Sequence, residues 1–254
     1  MSVNTLRLSN IELIKVSRLS TGIPCLDMCY GTTIDGNYRC SGLPRGGVSL
    51  WAGSGGVGKS RVAIAIASYI NSTGGRVLYI QNEVNPQQFR EWTRDKIANP
   101  YEFLVHTSNI VDQQIQAMLE YKPHLVVIDS INMIPNFQSV NVIRETLEKY
   151  RSTTSQIQSH LILIGHLNKV GTVKGNNDIT YLVDTQCGLQ YVSNGLSKNH
   201  KLELQLAGKS VADMFFIVVE KNRYNSVTIN GEKYYVCFRH TNESVQVVCS
   251  NAIL

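Results

Sequence analysis

One eight-residue stretch constrains the fold of this 254-residue chain more than any other feature. Residues 53–60 read Gly-Ser-Gly-Gly-Val-Gly-Lys-Ser and fit the G-x-x-x-x-G-K-[ST] pattern in full. The apolar segment Val48–Ala52 before it predicts a strand, and Lys59–Ile70 after it has the apolar spacing of a helix. A strand that runs through a glycine-rich loop into a helix is the context that a phosphate-binding loop requires. We therefore predict a nucleotide-phosphate site here rather than a chance glycine-rich turn.

Each part of this loop has a chemical task at a triphosphate. Its glycines let successive backbone N–H groups point at phosphate oxygens, and the helix N-terminus adds partial positive charge. The predicted loop contacts are Gly53, Ser54, Gly55, Gly56, Val57, Gly58 and Lys59. Lys59 is expected to reach the β- and γ-phosphates, and the Ser60 hydroxyl is expected to complete a Mg²⁺ shell. The predicted ligands are therefore ATP and Mg²⁺.

Strands and helices alternate through the first two thirds of the sequence. The predicted strands after the loop are Arg76–Ile80, Tyr101–His106, Leu125–Asp129 and Leu161–Gly165, and the predicted helices are Pro86–Ile97, Val111–Glu120 and Val140–Ser155. This alternation predicts an α/β fold with a mostly parallel twisted sheet flanked by helices.

The last third of the sequence changes character and predicts antiparallel strands. Lys201–Leu206 alternates polar and apolar residues, Phe215–Glu220 is an apolar run, and Asn230–Gly231 is a turn signal between two β segments. Because no linker separates this part from the rest, we expect one domain over residues 20–254. Residues 1–19 are expected to form an N-terminal arm or strand.

Two carboxylates are candidates for the metal and the attacking water. Asp129 ends the apolar run 125–128, at the edge where ligands of open α/β sheets bind, and is predicted to hold a Mg²⁺-bound water. Glu83 follows another predicted strand, and a carboxylate there polarises an attacking water. From the sequence alone, a solvated loop glutamate is nearly as good an interpretation of Glu83.

Composition excludes several classes of protein. Hydrophobic residues make up 43% of the chain and charged residues 17%, which excludes disorder as the dominant state. No apolar run approaches the roughly 18 residues of a membrane span and no secretory pattern opens the chain, so we expect a cytoplasmic protein with no membrane partner. The six cysteines are then expected to be free thiols. A net charge of +5 permits a polyanionic partner without requiring one.

Further segments resemble a known family. Ser20–Ile23, Leu26–Asp27 and Gly42–Gly47, placed before the phosphate loop, resemble the RecA-type ATPase core. More narrowly, the chain resembles the RadA (Sms) branch, bacterial relatives of RecA that act at recombination intermediates. The segments similar to that branch are Tyr79–Glu83, Ile164–Gly171, Leu182–Thr185 and Glu220–Tyr224. The fold implied by the resemblance is a RecA-like P-loop core with ATPase activity.

The sequence also departs from the RadA pattern. The family usually carries an N-terminal four-cysteine zinc element and a C-terminal Lon-protease-like domain, and neither is found, so we expect a minimal ATPase core. Cys25, Cys29 and Cys40 lack a fourth partner at zinc spacing, which argues against a metal site. Residues 32–41 look like an insertion before the Gly42 turn.

The resemblance implies roles for four further side chains. It makes Glu83 the water-activating base, and it makes Lys221 and Arg223 cations that reach the ATP of a neighbouring subunit. Without the family pattern, these two would be interpreted as solvated cations at a strand edge. His166 is implied to sense the nucleotide, although a lone histidine after a buried strand is more often structural.

Two loops are candidates for DNA contact. Residues 168–179 resemble the mobile DNA-binding loop of the superfamily and carry Lys169 and Lys174, which suit phosphate backbones; a solvated active-site lid is the alternative. Phe137, in the loop 130–139, is available for base stacking or for cover by a neighbouring subunit.

The resemblance thus implies a DNA-dependent ATPase that acts in recombination and repair by translocation, unwinding or branch migration. The implied partners are single-stranded DNA, further copies of the chain in a hexameric ring or filament, and other recombination or replication proteins. Two alternatives stay open, a DnaB-type replicative helicase motor and a non-motor recombination module clamped by ATP. A nucleotide switch with a protein partner and no DNA is less favoured.

Overall fold

A nine-stranded sheet forms the centre of the computed structural model, which describes residues 16–35, 38–137, 139–166, 179–195, 201, 213–229, 231–241 and 244–250. The strands are β1 (Arg18–Leu19), β2 (Thr32–Asp35), β3 (Tyr38–Ser41), β4 (Leu43–Pro44), β5 (Val48–Gly53), β6 (Val77–Gln81), β7 (Phe103–His106), β8 (Leu125–Asp129), β9 (His160–His166), β10 (Thr185–Tyr191), β11 (Met214–Asn222), β12 (Thr228–Ile229), β13 (Glu232–Lys233), β14 (Tyr235–His240) and β15 (Val245–Ser250). The helices are α1 (Pro24–Tyr30), α2 (Lys59–Ser72), α3 (Pro86–Thr93), α4 (Val111–Tyr121), α5 (Val140–Ile157), α6 (Ile179–Leu182) and α7 (Val192–Gly195).

The central sheet has a parallel half and an antiparallel half. Its strand order is β15-β14-β11-β10-β5-β9-β8-β6-β7. The strands from β10 to β7 run parallel to one another, whereas β11, β14 and β15 pair antiparallel. The carboxyl ends of the parallel strands therefore share one edge, where Gly53 pairs with His166 and Gln81 with Asp129. This topology confirms the predicted mostly parallel α/β sheet with antiparallel C-terminal strands.

Two apolar layers cover the two faces of the sheet. Side chains that alternate along β5 enter different layers, because successive residues of a strand point to opposite faces. Trp51 packs in the layer that contains α1 and α2, and Leu50 packs in the layer that contains α4 and α5. Both side chains are fully buried, as expected for a parallel sheet that helices cover on both faces. Among the described helices, none combines the length and the apolar character that crossing a bilayer demands.

Several elements differ from the sequence predictions. The helix predicted over 86–97 ends at Thr93, and the strand predicted from Tyr101 begins at Phe103 after a 3₁₀ turn at Pro100–Glu102. The predicted insertion at 32–41 is the hairpin β2–β3, and the helix α1 before it was not predicted. With seven residues, α1 is too short to show a helical period. The strand predicted at 201–206 lies outside the described residues apart from Lys201.

The hairpin predicted at Asn230–Gly231 is confirmed. Thr228 pairs with Lys233 and Ile229 with Glu232, which leaves a two-residue connection between β12 and β13. The position of Gly231 at φ +82° suits this turn, since positive φ is open to glycine at little cost.

A buried histidine at the amino end of β9 forms hydrogen bonds to β4 and β5. His160 Nδ1 lies 2.8 Å from the Pro44 carbonyl oxygen, and Nε2 lies 2.8 Å from the Ser49 hydroxyl. A carbonyl only accepts, so Nδ1 carries the proton and the Ser49 hydroxyl donates to Nε2. Burial lowers the pKa of His160 to about 4, because the charged imidazolium would lose its hydration.

We predict that His160 makes the fold sensitive to acid. Its pKa in the folded chain lies below the ordinary 6.5, so its stabilisation is complete above pH 6.5 and is lost as the pH falls toward 4. That loss is worth about 3 kcal/mol. Urea unfolding of the His160→Asn variant between pH 7.5 and 4.5 should show a flatter loss of unfolding free energy than the parent chain. Equal slopes for the two chains would contradict this role.

Candidate functional site

The predicted phosphate-binding loop lies between β5 and α2, at the carboxyl edge of the sheet. Gly58, the residue before α2, has φ +111°, and a Cβ atom there would lie 2.7 Å from the Phe215 ring. Gly56 also has positive φ, at +76°. Both positions therefore require glycine. Ser54, Gly55 and Gly56 are exposed, so the curled backbone of the loop is open to a ligand.

Lys59 lies beneath this loop with its ammonium group enclosed. The side chain is buried, and Nζ donates to the carbonyl oxygens of Gly53 and Ser54 at 2.9 and 2.8 Å. Burial lowers the pKa of Lys59, although the nearby carboxylates of Asp129 and Glu83 oppose the shift. Charged phosphate oxygens are stronger acceptors than carbonyl oxygens, so a bound triphosphate offers this ammonium a better partner.

Asp129 and Ser60 are the side chains that could hold a metal ion at this edge of the sheet. Asp129 ends β8 and is buried, and its Oδ2 accepts a hydrogen bond of 2.9 Å from the Tyr79 hydroxyl. Burial raises the pKa of Asp129, while hydrogen bonds from Ser60 and Tyr79 partly offset the shift. A hydroxyl beside a carboxylate is a set of hard oxygen donors, which fits Mg²⁺. The peptide bond between Asp129 and Ser130 is cis.

The position of Glu83 is set by the residues around the end of β6. The buried Gln81 accepts a hydrogen bond of 2.8 Å from the Glu83 N–H, and the Asn82 N–H donates to the Asp129 carbonyl oxygen at 2.8 Å. Burial alone would raise the pKa of Glu83, but the polar side chains of Ser130 and His166 outweigh it and lower the pKa. Glu83 is therefore ionised at neutral pH, as a residue that polarises water must be.

His166 joins Glu83 to the phosphate-binding loop. Its Nε2 lies 2.8 Å from Glu83 Oε1, and its Nδ1 lies 3.5 Å from Lys59 Nζ. An ammonium only donates, so Nδ1 is the acceptor and Nε2 carries the proton toward the carboxylate. The backbone N–H of His166 donates to the side chain of Asn132 at 2.8 Å, which holds the end of β9 in place. The structure thus brings Lys59, Glu83 and His166 into one hydrogen-bonded group.

A cavity of about 540 Å³ opens beside this group. The residues that line it include members of the phosphate-binding loop, Glu83, and three residues on or after α3, namely Glu91, Trp92 and Lys96. Trp92 is 44% exposed, whereas Trp51 is fully buried. Trp92 was not predicted to line a site, because the apolar pattern of α3 does not show which of its residues face the loop.

Lys221 and Arg223 lie at the opposite edge of the sheet from the loop of their own chain. Lys221 Nζ donates to the carbonyl oxygens of Thr180 and Val183 at 2.7 and 2.8 Å. Arg223 Nη1 donates to Asp184 at 3.1 Å, where the backbone of Asp184 pairs with the first residue of β5. The loop begins five residues further along β5, roughly 17 Å away at about 3.3 Å per residue. Neither cation therefore reaches the nucleotide site of its own chain.

The two candidate DNA loops have different outcomes. Phe137 is buried in the apolar layer that contains α4 and α5, together with Ile131 and Ile134, so the expectation of an accessible ring for stacking is corrected. An aromatic residue in a loop contributes to a core as readily as to a surface, and here burial of its apolar area stabilises the fold. Lys169 and Lys174 lie outside the described residues.

Comparison with known proteins assigns the chain to a family. Residues 36–172, more than half of the chain, match the family model described as an AAA domain. The chain belongs to this family. It has a RadA/Sms-like ATPase core of the RecA superfamily, which confirms the resemblance seen in the sequence, and the match supports an ATPase.

Several curated relatives are DNA repair proteins RadA. The chain is 33% identical over 153 residues to RadA of Chlamydia trachomatis, which covers 57% of this chain and 33% of the relative. It is 27% identical over 200 residues to RadA of Mycobacterium tuberculosis, covering 74% and 39% of the two chains. RadA of Aquifex aeolicus is 26% identical over 174 residues, covering 66% and 37%. The matches span less than half the length of these relatives.

We predict that Glu83 acts in turnover and not in nucleotide binding. Replacing Glu83 by Gln removes the charge that polarises water, so ATP turnover should fall by about 10²- to 10⁴-fold. Binding of a fluorescent ATP analogue should change little. Glu91→Gln is the matched control, because Glu91 lines the same cavity but pairs with Arg94. Phosphate release at the parent rate from Glu83→Gln, or an equal loss in the control, would refute the assignment.

Proposed function

We propose that this protein is an ATP-hydrolysing motor of the RadA type that works on single-stranded DNA in recombination and repair. The observation that carries the proposal is the group formed by Lys59, His166 and Glu83 beside the buried Asp129. A triphosphate on the loop would meet a cation, a pair of metal ligands and an ionised carboxylate, all at the carboxyl ends of the parallel strands. The similarity to DNA repair proteins supports DNA as the macromolecular partner.

The chain's own residues divide the work of hydrolysis among them. Lys59 leaves the carbonyls of Gly53 and Ser54 for the phosphate oxygens. Ser60 and Asp129 would hold Mg²⁺, which when bound would neutralise charge that develops on the phosphates. Glu83 orients and polarises the water, and His166 holds Glu83 toward the loop through its Nε2 proton.

The placement of Lys221 and Arg223 supports an active site shared between copies. The nucleotide of each copy lies at the carboxyl edge of its sheet, and the two cations lie at the amino edge, where Arg223 is 42% exposed. Contact between the two kinds of edge is head-to-tail, and repetition of such a contact generates a ring or a filament. In this arrangement the Arg223 guanidinium meets the charge that develops on the neighbour's phosphates.

The coupling of hydrolysis to DNA is proposed to pass through His166. This residue contacts both Lys59 and Glu83, and the segment that carries Lys169 and Lys174 follows it in sequence. Two lysines there bind the sugar–phosphate backbone without reading base sequence. A change in the nucleotide is thus passed directly to the residues that hold the strand.

We expect single-stranded DNA to stimulate ATP turnover, with an affinity that falls as salt rises. The slope of log K against log salt is about −0.7 for each phosphate contact, so Lys169→Ala with Lys174→Ala should reduce its magnitude by about 1.4. Fluorescence anisotropy with a labelled oligonucleotide measures this slope. A double variant at Lys149, whose side chain is 42% exposed, and at the exposed Lys233 removes the same charge elsewhere and should leave the slope unchanged. Turnover that is indifferent to DNA would rule out the DNA-coupled function.

Shared active sites predict rescue between two inactive variants. Lys59→Ala lacks a working loop but keeps its cations, and Arg223→Ala lacks the cation but keeps its loop. Each alone should lose at least about 10³-fold in turnover, as is typical when an arginine finger is removed. Mixing them should restore activity, because the cations of one copy complete the loop of the other. Activity that stays at the level of the separate variants would contradict sites shared between copies.

A further inference from the structure

A third cation lies beside the two that were predicted from the sequence. Arg151, in the last two turns of α5, places Nη2 3.8 Å from Asp184 Oδ1, the same oxygen that accepts from Arg223 Nη1 at 3.1 Å. The Asp184 side chain is only 7% exposed, while those of Arg151 and Arg223 are 41% and 42% exposed. Two guanidinium groups therefore stand side by side at the surface, with a buried carboxylate behind them.

Asp184 has hydrogen-bond partners without Arg151. Its Oδ2 accepts from the Val48 N–H at 2.9 Å, and its Oδ1 accepts from Arg223. Within the described part of the chain, the guanidinium of Arg151 donates no hydrogen bond of 3.5 Å or shorter. Loss of Arg151 would consequently leave the bonds of this carboxylate intact.

The charges in this group do not cancel. Arg223 and Arg151 contact the Asp184 carboxylate and Lys221 lies near it, so three cations gather at one carboxylate and leave an excess of two positive charges. Burial lowers the pKa of Lys221, and the neighbouring Arg223 and Arg151 lower it further against the opposing effect of Asp184. Crowding like charges costs free energy, so their gathering at a surface is typical of a place where an anion binds.

We propose that Arg151 is a further cation of this shared site and that, together with Arg223, it binds the terminal phosphate of the nucleotide held by an adjoining copy. The proposal rests on the head-to-tail assembly described above. A terminal phosphate carries about two negative charges, which matches the excess at this surface. Two guanidinium groups give it several charge-assisted hydrogen bonds. Asp184 is the positioning residue, because it holds both guanidinium groups at one edge and reduces their repulsion until the phosphate arrives.

The rescue assay tests this role directly. In a mixture of Lys59→Ala and Arg223→Ala copies, each active site takes its cations from the Lys59→Ala copy. Adding Arg151→Ala to that donor copy should lower the rescued turnover at least tenfold. Adding Arg151→Ala to the Arg223→Ala copy should leave rescue unchanged, because that copy contributes the loop and not the cations.

Two controls separate a shared-site role from damage to the fold. Arg144→Ala in the donor copy removes an exposed arginine two turns earlier on α5 and should leave rescue unchanged. Arg151→Lys in the donor keeps the charge but not the forked geometry, and it should rescue to an intermediate level.

The outcomes distinguish this inference from the function on which it rests. If Lys59→Ala and Arg223→Ala copies fail to rescue each other, the shared site is wrong and the role of Arg151 falls with it. If they do rescue each other, full rescue by the Arg151→Ala donor would overturn the inference alone. Equal loss from the donor copy and the acceptor copy would overturn it as well, because it would show that Arg151 serves the fold of its own chain.

Discussion

The hydrogen bonds of the enclosed Lys59 ammonium are the interactions on which the rest of the site depends. Desolvating a cation is costly, and the chain offsets that cost with two backbone carbonyls of the loop and with nearby carboxylates. These partners hold the loop in the curled form that the proposed phosphate binding requires. His166 connects the same ammonium to Glu83, so the proposed phosphate-binding cation and the proposed water-activating carboxylate share one set of contacts.

The parallel sheet explains how residues so distant in sequence come together. Glu83, Asp129 and His166 follow or end three different strands, and each arrives at the same edge because the strands point the same way. Strand direction also explains the charged residues at the opposite edge of the sheet. Asp184 stands at the amino end of β10, and Arg223 follows the antiparallel β11, whose direction returns it to that edge. The sheet therefore places the phosphate-binding loop at the carboxyl ends of the parallel strands, and places Lys221 and Arg223 at their amino ends.

Much of the loop edge could be predicted from the sequence. The phosphate-binding motif needs only consecutive residues between a strand and a helix, and Asp129 ends an unmistakable apolar run. The contact of Arg151 with Asp184 and the position of Trp92 in the cavity lining could not be predicted. Both depend on how separate elements are oriented, and no local sequence pattern encodes that orientation. Phe137 was misjudged for a related reason, since its apolar character says nothing about whether it faces solvent or the layer beneath. The helix α1 was missed because so few residues give no period.

The strand β11 runs from the phosphate-binding loop to the edge of the sheet that carries the cations. Near one end, the Phe215 ring packs against Gly58 of the phosphate-binding loop, and just past the other end lies Arg223, the cation proposed to serve an adjoining copy. Its nine residues span about 30 Å and pair with β10 from Phe215 to Asn222, with one register shift between Val219 and Lys221. In the proposed head-to-tail assembly, this one strand would link the loop of a chain to the cation that the same chain presents to its neighbour, so the two nucleotide sites that each chain serves would lie on one continuous backbone segment.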